Sequence, residues 1–298
     1  MNLVSSTLSL LSVNGQIVAA FGRQYLVEFA DGTILSCVLR GKRSGAVCGD
    51  QVKVKRTAAD QGVIETILPR STLVYRSNTV REKLIAANIT QIIIVIAAIP
   101  SFDEELVNRC LVAAENQNIK VLIVLNKTDL IEPTRIVVPG LSLYQKIGYT
   151  LLQLSAKTDI MPLLPYLQGH LNILVGQSGM GKSTLINALI PGTDRATGKI
   201  SSSLDSGRHT TTHSQLYHLN KNTHIIDSPG IQEFGLHHIG NTNLAWGFIE
   251  FHPYIGRCKF SDCLHINEPD CAVDKAVQEK KIDPRRLSFY RKLVTYTM

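Results

Sequence analysis

No apolar run in this chain is long enough to cross a bilayer. The longest, residues 89–100 (ITQIIIVIAAIP), falls well short of the ~20 residues a spanning helix needs and reads as a buried strand. The N-terminal stretch MNLVSSTLSLLSVNG has neither a basic leader region nor a small-residue cleavage site. A secretory signal is therefore not expected, and a cytoplasmic protein with no membrane partner is. Internal repeats and low-complexity tracts are missing too, which excludes a solenoid. Cysteine is sparse outside one cluster. Cys37, Cys48 and Cys110 are scattered through apolar or strand-like settings and read as inert thiols.

The 298 residues are 44% hydrophobic and 18% charged, the composition of a globular protein large enough for two or three domains. A net charge of +7 fits a polyanionic partner without demanding one.

Short β-type runs fill the first seventy residues: Gln16–Phe21, Gln24–Phe29, Thr33–Leu39, Asp50–Lys55 and Val63–Leu68. Turn residues such as Asn14-Gly15 and Asp31-Gly32 punctuate them. Five short strands in that space predict an OB-like barrel over residues 1–70, and the basic stretch Arg40-Gly-Lys-Arg43 tilts it toward RNA. From residue 89 strands alternate with helices. Strand-like runs at 91–98, 120–126, 150–155 and 170–175 are separated by helical ones at 103–116, 141–147 and 160–167. That rhythm predicts a parallel sheet covered by helices, in a domain spanning residues 71–235. A hairpin-like pair, His213–Leu219 and Thr223–Asp227, closes it. Residues 236–298 are rich in histidine, cysteine and charge and end in a basic helix, a third, helical unit.

Gly176-Gln177-Ser178-Gly179-Met180-Gly181-Lys182-Ser183 matches G-x-x-x-x-G-K-[ST] in full, between an apolar strand and a helical stretch that starts at Thr184. The glycines let backbone N–H groups curl around phosphates, Lys182 reaches the β- and γ-phosphates, and the Ser183 hydroxyl is a Mg²⁺ ligand. This loop alone does not select a nucleotide. Asn126-Lys127-Thr-Asp129 does, because a carboxylate accepts from guanine N1–H and the exocyclic amine, whereas adenine offers an acceptor at that ring position. Asn126 would brace the loop and Lys127 lie along the base. Ser155-Ala156-Lys157, at the end of the next strand, suits the backbone contact to the guanine carbonyl. Asp227-Ser-Pro-Gly230 supplies a carboxylate for water-mediated Mg²⁺ binding and, in Gly230, an N–H for the γ-phosphate. Thr211, within Gly207-Arg-His-Thr-Thr-Thr212, is the switch threonine for Mg²⁺ by its spacing to the following strand, with Thr210 and Thr212 as rivals.

The order of these motifs is permuted. Common small GTPases begin with the P-loop, whereas here N-K-T-D and S-A-K precede it. Domain termini often lie close together, so cutting and rejoining the chain preserves the site. As a consequence, D-S-P-G runs straight into the C-terminal unit. Within that unit, Cys258-x₄-Cys263-x-His265-x₅-Cys271 offers three thiolates and an imidazole, a closed tetrahedral set for structural Zn²⁺. An odd number of cysteines and a reducing compartment argue against disulfides there.

Permuted order, G-R-H-T-T-T, the barrel and the cysteine cluster together resemble the bacterial small-ribosomal-subunit-dependent GTPases, the RsgA or YjeQ family, over nearly the whole chain. The resemblance implies a late maturation factor that binds the small subunit and its rRNA as a monomer and hydrolyses GTP to GDP there. In that family the histidine of G-R-H-T-T-T is proposed to activate water, which falls on His209 beside the catalytic pair Lys182 and Asp227. Ile231 stands where many GTPases carry a water-orienting glutamine, so His209 or Gln232 must serve, and Arg208 is available for charge neutralisation. Lys280, Lys281, Arg285, Arg286, Arg291 and Lys292 could meet rRNA phosphate or form a solvated face. A different class of function, a GTP-gated RNA-binding module with incidental hydrolysis, fits the same motifs.

Overall fold

The structure, a computed structural model, describes residues 12–41, 45–78, 81–191, 214–228, 236, 239 and 244–297. Alternation builds its first part. In Gln51–Arg56 (β4) the sequence QVKVKR turns Val52 and Val54 inward and its lysines out. Val13–Phe21 (β1), Gln24–Phe29 (β2), Ile34–Leu39 (β3) and Gln61–Ile67 (β5) complete five strands in the order β1-β2-β3-β5-β4. β4 pairs back onto β1, and β3 runs parallel to β5, so the sheet closes into the OB-like barrel. Ile17, Val27, Leu35, Val52, Val54 and Ile64 fill it.

A hairpin, Leu73–Asn78 (β6) and Arg81–Ala87 (β7), follows that the sequence reading did not anticipate. Its connection carries no Asn-Gly or Asp-Gly turn signal, and the barrel specifies it instead. Gly49 has φ +91°, and a Cβ there would stand 2.2 Å from the Ala87 carbonyl oxygen, so only glycine lets the hairpin come this close. The Ala87 N–H donates to the Cys48 carbonyl at 3.1 Å.

Six strands form the second sheet region: Gln91–Ala97 (β8), Lys120–Asn126 (β9), Thr150–Gln153 (β10), Leu171–Val175 (β11), Ser214–Asn220 (β12) and Thr223–Asp227 (β13). The order is β10-β9-β8-β11-β13, all parallel, with β12 antiparallel beyond β13. Buried on both faces, β8 reads QIIIVIA without alternation, as a central parallel strand should. At the edge, β12 pairs with barrel strand β1 through Ala19↔Gln215 and Ala20↔Ser214, joining barrel and second region into one eleven-stranded sheet.

Helices Glu104–Glu115 (α1), Ile131–Lys146 (α2), Leu164–Leu167 (α3) and Lys182–Leu189 (α4) cover this region. The sequence pattern predicts the second helix only over 141–147, although Pro133, Pro139 and Gly140 lie upstream of it. The helix runs through them from residue 131, with Pro139 on its exposed side. In the C-terminal part, Ala272–Gln278 (α5) and Pro284–Thr297 (α6) follow two short 3₁₀ turns. Phe248, Phe251 and Tyr290 pack ring on ring, with centroids 4.9 and 5.3 Å apart.

Residues of α6 bind the second sheet region through its first helix, α1. Arg286 is only 1% exposed, lies over the Phe248 ring at 4.5 Å, and donates to the Glu250 carboxylate and to the Asn108 side-chain carbonyl on α1. Lys292 pairs with Glu105 on the same helix, and Arg285 pairs with Asp283 at 3.1 Å. Arg291 meets Asp274 at 2.7 Å. Arg286, Arg291 and Lys292 thus meet acids of other elements, while Lys280, Lys281 and Arg285 are exposed. Among the described residues no helix is long and apolar enough to cross a membrane.

Candidate nucleotide and metal sites

Because β9, β10, β11 and β13 are parallel, their C-terminal ends lie along one edge, the place where open α/β sheets bind ligands. Asn126 ends β9, Ser155 lies just beyond β10, Gly176 follows β11, and Asp227 ends β13. The sequence motifs are thereby brought to one edge despite their permuted order.

Asn126 ties three of them together. Its side chain, 2% exposed, donates to the Met180 carbonyl of the P-loop at 2.9 Å and accepts from the Ala156 N–H at 2.9 Å. A buried amide satisfied at both ends fixes both loops relative to β9. The Ser155 hydroxyl donates to the Asp129 carboxylate at 2.6 Å and holds that carboxyl below its usual range. Asp129 and Lys157 are exposed, and the Asp129 carboxyl is held in its ionised form. Lys127 has φ +64° and its ammonium reaches the Ile99 carbonyl at 2.9 Å.

The P-loop turns on two strained-for-others glycines. Gly181, φ +94°, caps α4, and a Cβ there would lie 2.2 Å from the Asn126 amide nitrogen. Gly176 passes so close to the Val95 carbonyl that a Cβ would stand 2.2 Å from it. Gly179 and Ser178 are exposed at the loop crest, while Met180 is buried beneath it. Lys182 folds its ammonium over the loop, onto the carbonyls of Gly176 and, at 2.8 Å, Gln177. Burial lowers the Lys182 pKa and raises that of Asp227, and each charge offsets part of the other's shift. Ser183 and Thr184 stand exposed on the first turn of α4. The exposed Ser183 hydroxyl on α4 and the half-buried Asp227 carboxylate at the end of β13 are hard oxygen donors that fit Mg²⁺. His209, Thr211, Gly230 and their neighbours Arg208, Thr210, Thr212, Ile231 and Gln232 lie outside the described residues.

Sequence reasoning assigned no role to the side chain of Gln177. Its carbonyl accepts from the Asp103 N–H at 2.7 Å, and Asp103 caps α1 by accepting from Glu105 N–H at 2.8 Å. A variable motif position gave no signal for this link between P-loop and helix.

The second centre lies in the C-terminal part. Ligand atoms of Cys258, Cys263, His265 and Cys271 all fall within 4.8 Å of one another. His265 Nδ1 is 3.4, 3.5 and 3.4 Å from the three sulfurs, and Cys258 Sγ is 4.0 Å from Cys271 Sγ. Ligand bonds of about 2.3 Å to sulfur and about 2.0 Å to nitrogen place tetrahedral ligands roughly 3.5–3.8 Å apart, so the set fits Zn²⁺. Burial and the neighbouring thiols push the Cys263 thiol up to about 12, a penalty a central cation would reverse. Burial also holds His265 below its ordinary value, in the neutral form that ligates. A surrounding shell absent from the sequence reading braces the loop. Glu268 accepts from the N–H groups of Leu264, Ile266 and Asn267, Tyr290 donates to the Leu264 carbonyl at 2.8 Å, and Arg291 donates to the His265 carbonyl at 3.2 Å. His252 instead lies against Trp246, donating to its carbonyl at 2.8 Å, and is not in the cluster; His237 and His238 lie outside the described residues. The remaining thiols are buried, with Cys37 pushed up to about 11.

A family model described as RsgA GTPase matches residues 67–237. The small ribosomal subunit biogenesis GTPase RsgA of Nitrosospira multiformis is 62% identical over 282 residues, covering 95% of this chain and 90% of that protein. Its namesake in Nitrosomonas europaea is 54% identical over 286 residues, with 95% and 91% covered. Among solved structures, YjeQ from Thermotoga maritima superposes with a TM-score of 0.75 at 30% identity, covering 96% of this chain and 99% of that one. YloQ, described as a circularly permuted GTPase, gives 0.73 at 26% identity, with 100% and 98% covered. With the motifs at one sheet edge in permuted order and this similarity along almost its entire length, the chain belongs to the RsgA GTPase family.

Proposed function

We propose that this protein hydrolyses GTP to GDP and phosphate when stimulated by the small ribosomal subunit, and acts in the late maturation of that subunit. The observation that carries the reading is Asn126. One buried amide fastens the base-reading loop to the P-loop and to the Ser155–Lys157 loop, which makes sense where guanine and phosphates are held together. The relatives named above bear small-subunit biogenesis in their names, at up to 62% identity.

In this mechanism Asp129 reads guanine, oriented by Ser155, while Ala156, whose N–H is held by Asn126, and Lys157 flank the base. The N–H groups of residues 176–184 cradle the phosphates, and Lys182 leaves its two carbonyls for the β- and γ-oxygens. Mg²⁺, held by Ser183 and Thr211 and through water by Asp227, would neutralise charge on those oxygens. Gly230 senses the γ-phosphate, and His209 aligns the attacking water in the absence of a glutamine at position 231. Cys258, Cys263, His265 and Cys271 would hold Zn²⁺ with four protein ligands, and the ion would serve structure. The barrel and C-terminal unit would contact rRNA, and the protein would work as a cytoplasmic monomer divided near residues 70 and 235.

The test is steady-state GTP hydrolysis by purified protein alone, with isolated small subunits, and with large subunits as control. Stimulation by small subunits only is expected, and lost in His209→Ala. GTP binding without stimulation would sink the assembly assignment, and hydrolysis-dead variants that still support growth would favour the RNA-binding switch.

A further inference from the structure

The two segments that GTPases use to sense the γ-phosphate leave the sheet side by side. The G-R-H-T-T-T segment enters β12 at Ser214, and D-S-P-G leaves β13 at Ser228. Gln215 is registered against Asp227, so Ser214 and Ser228 stand opposite each other one step beyond that pair. Their hydroxyls share a hydrogen bond of 2.7 Å. On its other side Ser214 is registered against Ala20 of the barrel strand β1, the neighbour of Ala19↔Gln215. Three strands thus meet in line at the point where both segments depart.

Ser228 is 6% exposed. A buried hydroxyl needs a partner, and Ser214 provides it. Side chains alternate along β13, so Asp227 faces the P-loop lysine while Ser228 faces the opposite way. The hydroxyl bond therefore fixes the strand end from the side away from the nucleotide, one peptide unit from the carboxylate. None of the motif chemistry calls for hydroxyls at these two positions, and the sequence reading gave neither a role.

We propose that Ser214 and Ser228 are a pair of positioning residues for GTP hydrolysis: their shared hydrogen bond sets the direction in which the D-S-P-G segment leaves Asp227, and anchors it to the barrel. This rests on the GTPase reading above. The nucleotide itself is gripped elsewhere, by the P-loop and by Asn126 and Asp129, so loss of the bond disturbs the segment that completes the transition state and leaves ground-state binding alone. The loss of one neutral hydrogen bond predicts a drop of about five- to tenfold in kcat with KM for GTP and the affinity for GDP unchanged.

The experiment compares wild type, Ser214→Ala, Ser228→Ala, the double variant, and Ser214→Thr, which keeps the hydroxyl. For each, kcat and KM for GTP, the affinity for GDP and the melting temperature are measured. Each alanine variant is expected to lose kcat alone, the double variant to lose no more than either single one, and Ser214→Thr to restore the rate. Unchanged kcat in Ser214→Ala, additive losses in the double variant, or a fall in GDP affinity that tracks melting temperature overturns the proposal. A variant that fails to fold shows in the melting curve, and the proposal then stands or falls on Ser228→Ala and Ser214→Thr. Wild type that hydrolyses GTP while Ser214→Ala matches it sinks this inference only. Wild type that does not hydrolyse GTP sinks the function as well.

Discussion

Replacing Arg286 with methionine removes a charge that is only 1% exposed and tests how the C-terminal unit is attached. The Arg286 and Glu250 side chains are 1% and 6% exposed, and the arginine also reaches Asn108 across the interface with α1. Methionine keeps much of the volume over the Phe248 ring but strands the Glu250 carboxylate in an apolar setting. Removing one partner of a buried ion pair costs about 3–5 kcal/mol, because the remaining charge has lost its compensation. At about 2–4 °C per kcal/mol for a chain of a few hundred residues, the melting temperature should fall by roughly 6–20 °C. The assay is thermal unfolding followed by circular dichroism, with amide exchange mapping where protection is lost. Exchange should rise first in α1 and α6, the two helices the arginine joins. Adding Glu250→Gln to Arg286→Met removes the stranded charge and should recover at least half of the loss. If the single variant melts within about 2 °C of wild type, the pair is not buried as described. If the double variant is no better than the single one, the cost lies in packing and the charge argument is wrong.

Asp129→Asn exchanges the acceptor pair for a donor and should weaken GDP about 10²- to 10³-fold while improving xanthosine diphosphate, read by fluorescent-nucleotide displacement. Equal affinity for both bases in the variant would remove Asp129 from base recognition. Chelating the Cys258–Cys271 centre at neutral pH should unfold α5 and α6 while the barrel strands keep their amide protection, since structural zinc sites supply about 10–16 kcal/mol of folding free energy. Retained protection after stoichiometric metal loss, measured by atomic absorption, would refute a structural ion. The His218 ring lies between Glu28 of the barrel, 2.6 Å away, and His224, whose Nδ1 is 2.7 Å from its own. Burial, and then the His218 charge, hold His224 below its ordinary value of 6.5, so the folded state favours the neutral ring. Above 6.5 folded and unfolded chains are both neutral there and the fold keeps its full stability. As pH falls below 6.5 the unfolded chain takes up a proton that the folded chain resists, and stability is lost. Melting temperatures from pH 7.5 to 5.5 should fall more steeply in wild type than in His224→Gln, and parallel curves would refute the linkage.

What was legible in the sequence follows from how local each signal is. Barrel strands such as Gln24–Phe29 and the sheet strand Lys120–Asn126 coincide with the runs read from alternation and apolar content, because these residues face a core on fixed sides. The P-loop, base-reading and cysteine motifs are contiguous in sequence, so their spacing announces them. The hairpin at residues 73–87 was invisible because its register comes from docking beside Gly49 and not from its own turn. Helix α2 extends ten residues further toward the N-terminus than the predicted 141–147; proline at 133 and 139 is an unfavourable local signal, and an exposed Pro139 with burial of Leu141 and Tyr144 holds the helix here. Partners distant in sequence, such as Gln177 with Asp103 or Arg286 with Asn108, leave no pattern in a single chain. For the same reason the basic C-terminal row gave no sign of the acids on other elements that Arg286, Arg291 and Lys292 meet.

Circular permutation alters what the nucleotide site is attached to without altering the site. In β10-β9-β8-β11-β13 every strand is parallel, so the binding edge depends on strand order and direction and not on where the chain begins. Moving the break changes only the connections, and here it places D-S-P-G directly before the unit that carries the cysteine and histidine cluster. That unit has a second attachment. Gln177 of the P-loop holds the capping residue of α1, the first two turns of α1 hold Arg286 and Lys292 of α6, and α6 clamps the loop at Leu264 and His265 through Tyr290 and Arg291. A ligand that shifts the P-loop and one that shifts D-S-P-G therefore reach the same unit by different routes, one through packed side chains and one through the chain itself. The two can be separated. Arg286→Met loosens the packed route and leaves the covalent one intact, so nucleotide-dependent amide exchange in α5 and α6 should persist in that variant if the chain connection carries the signal, and vanish if the packed helix does.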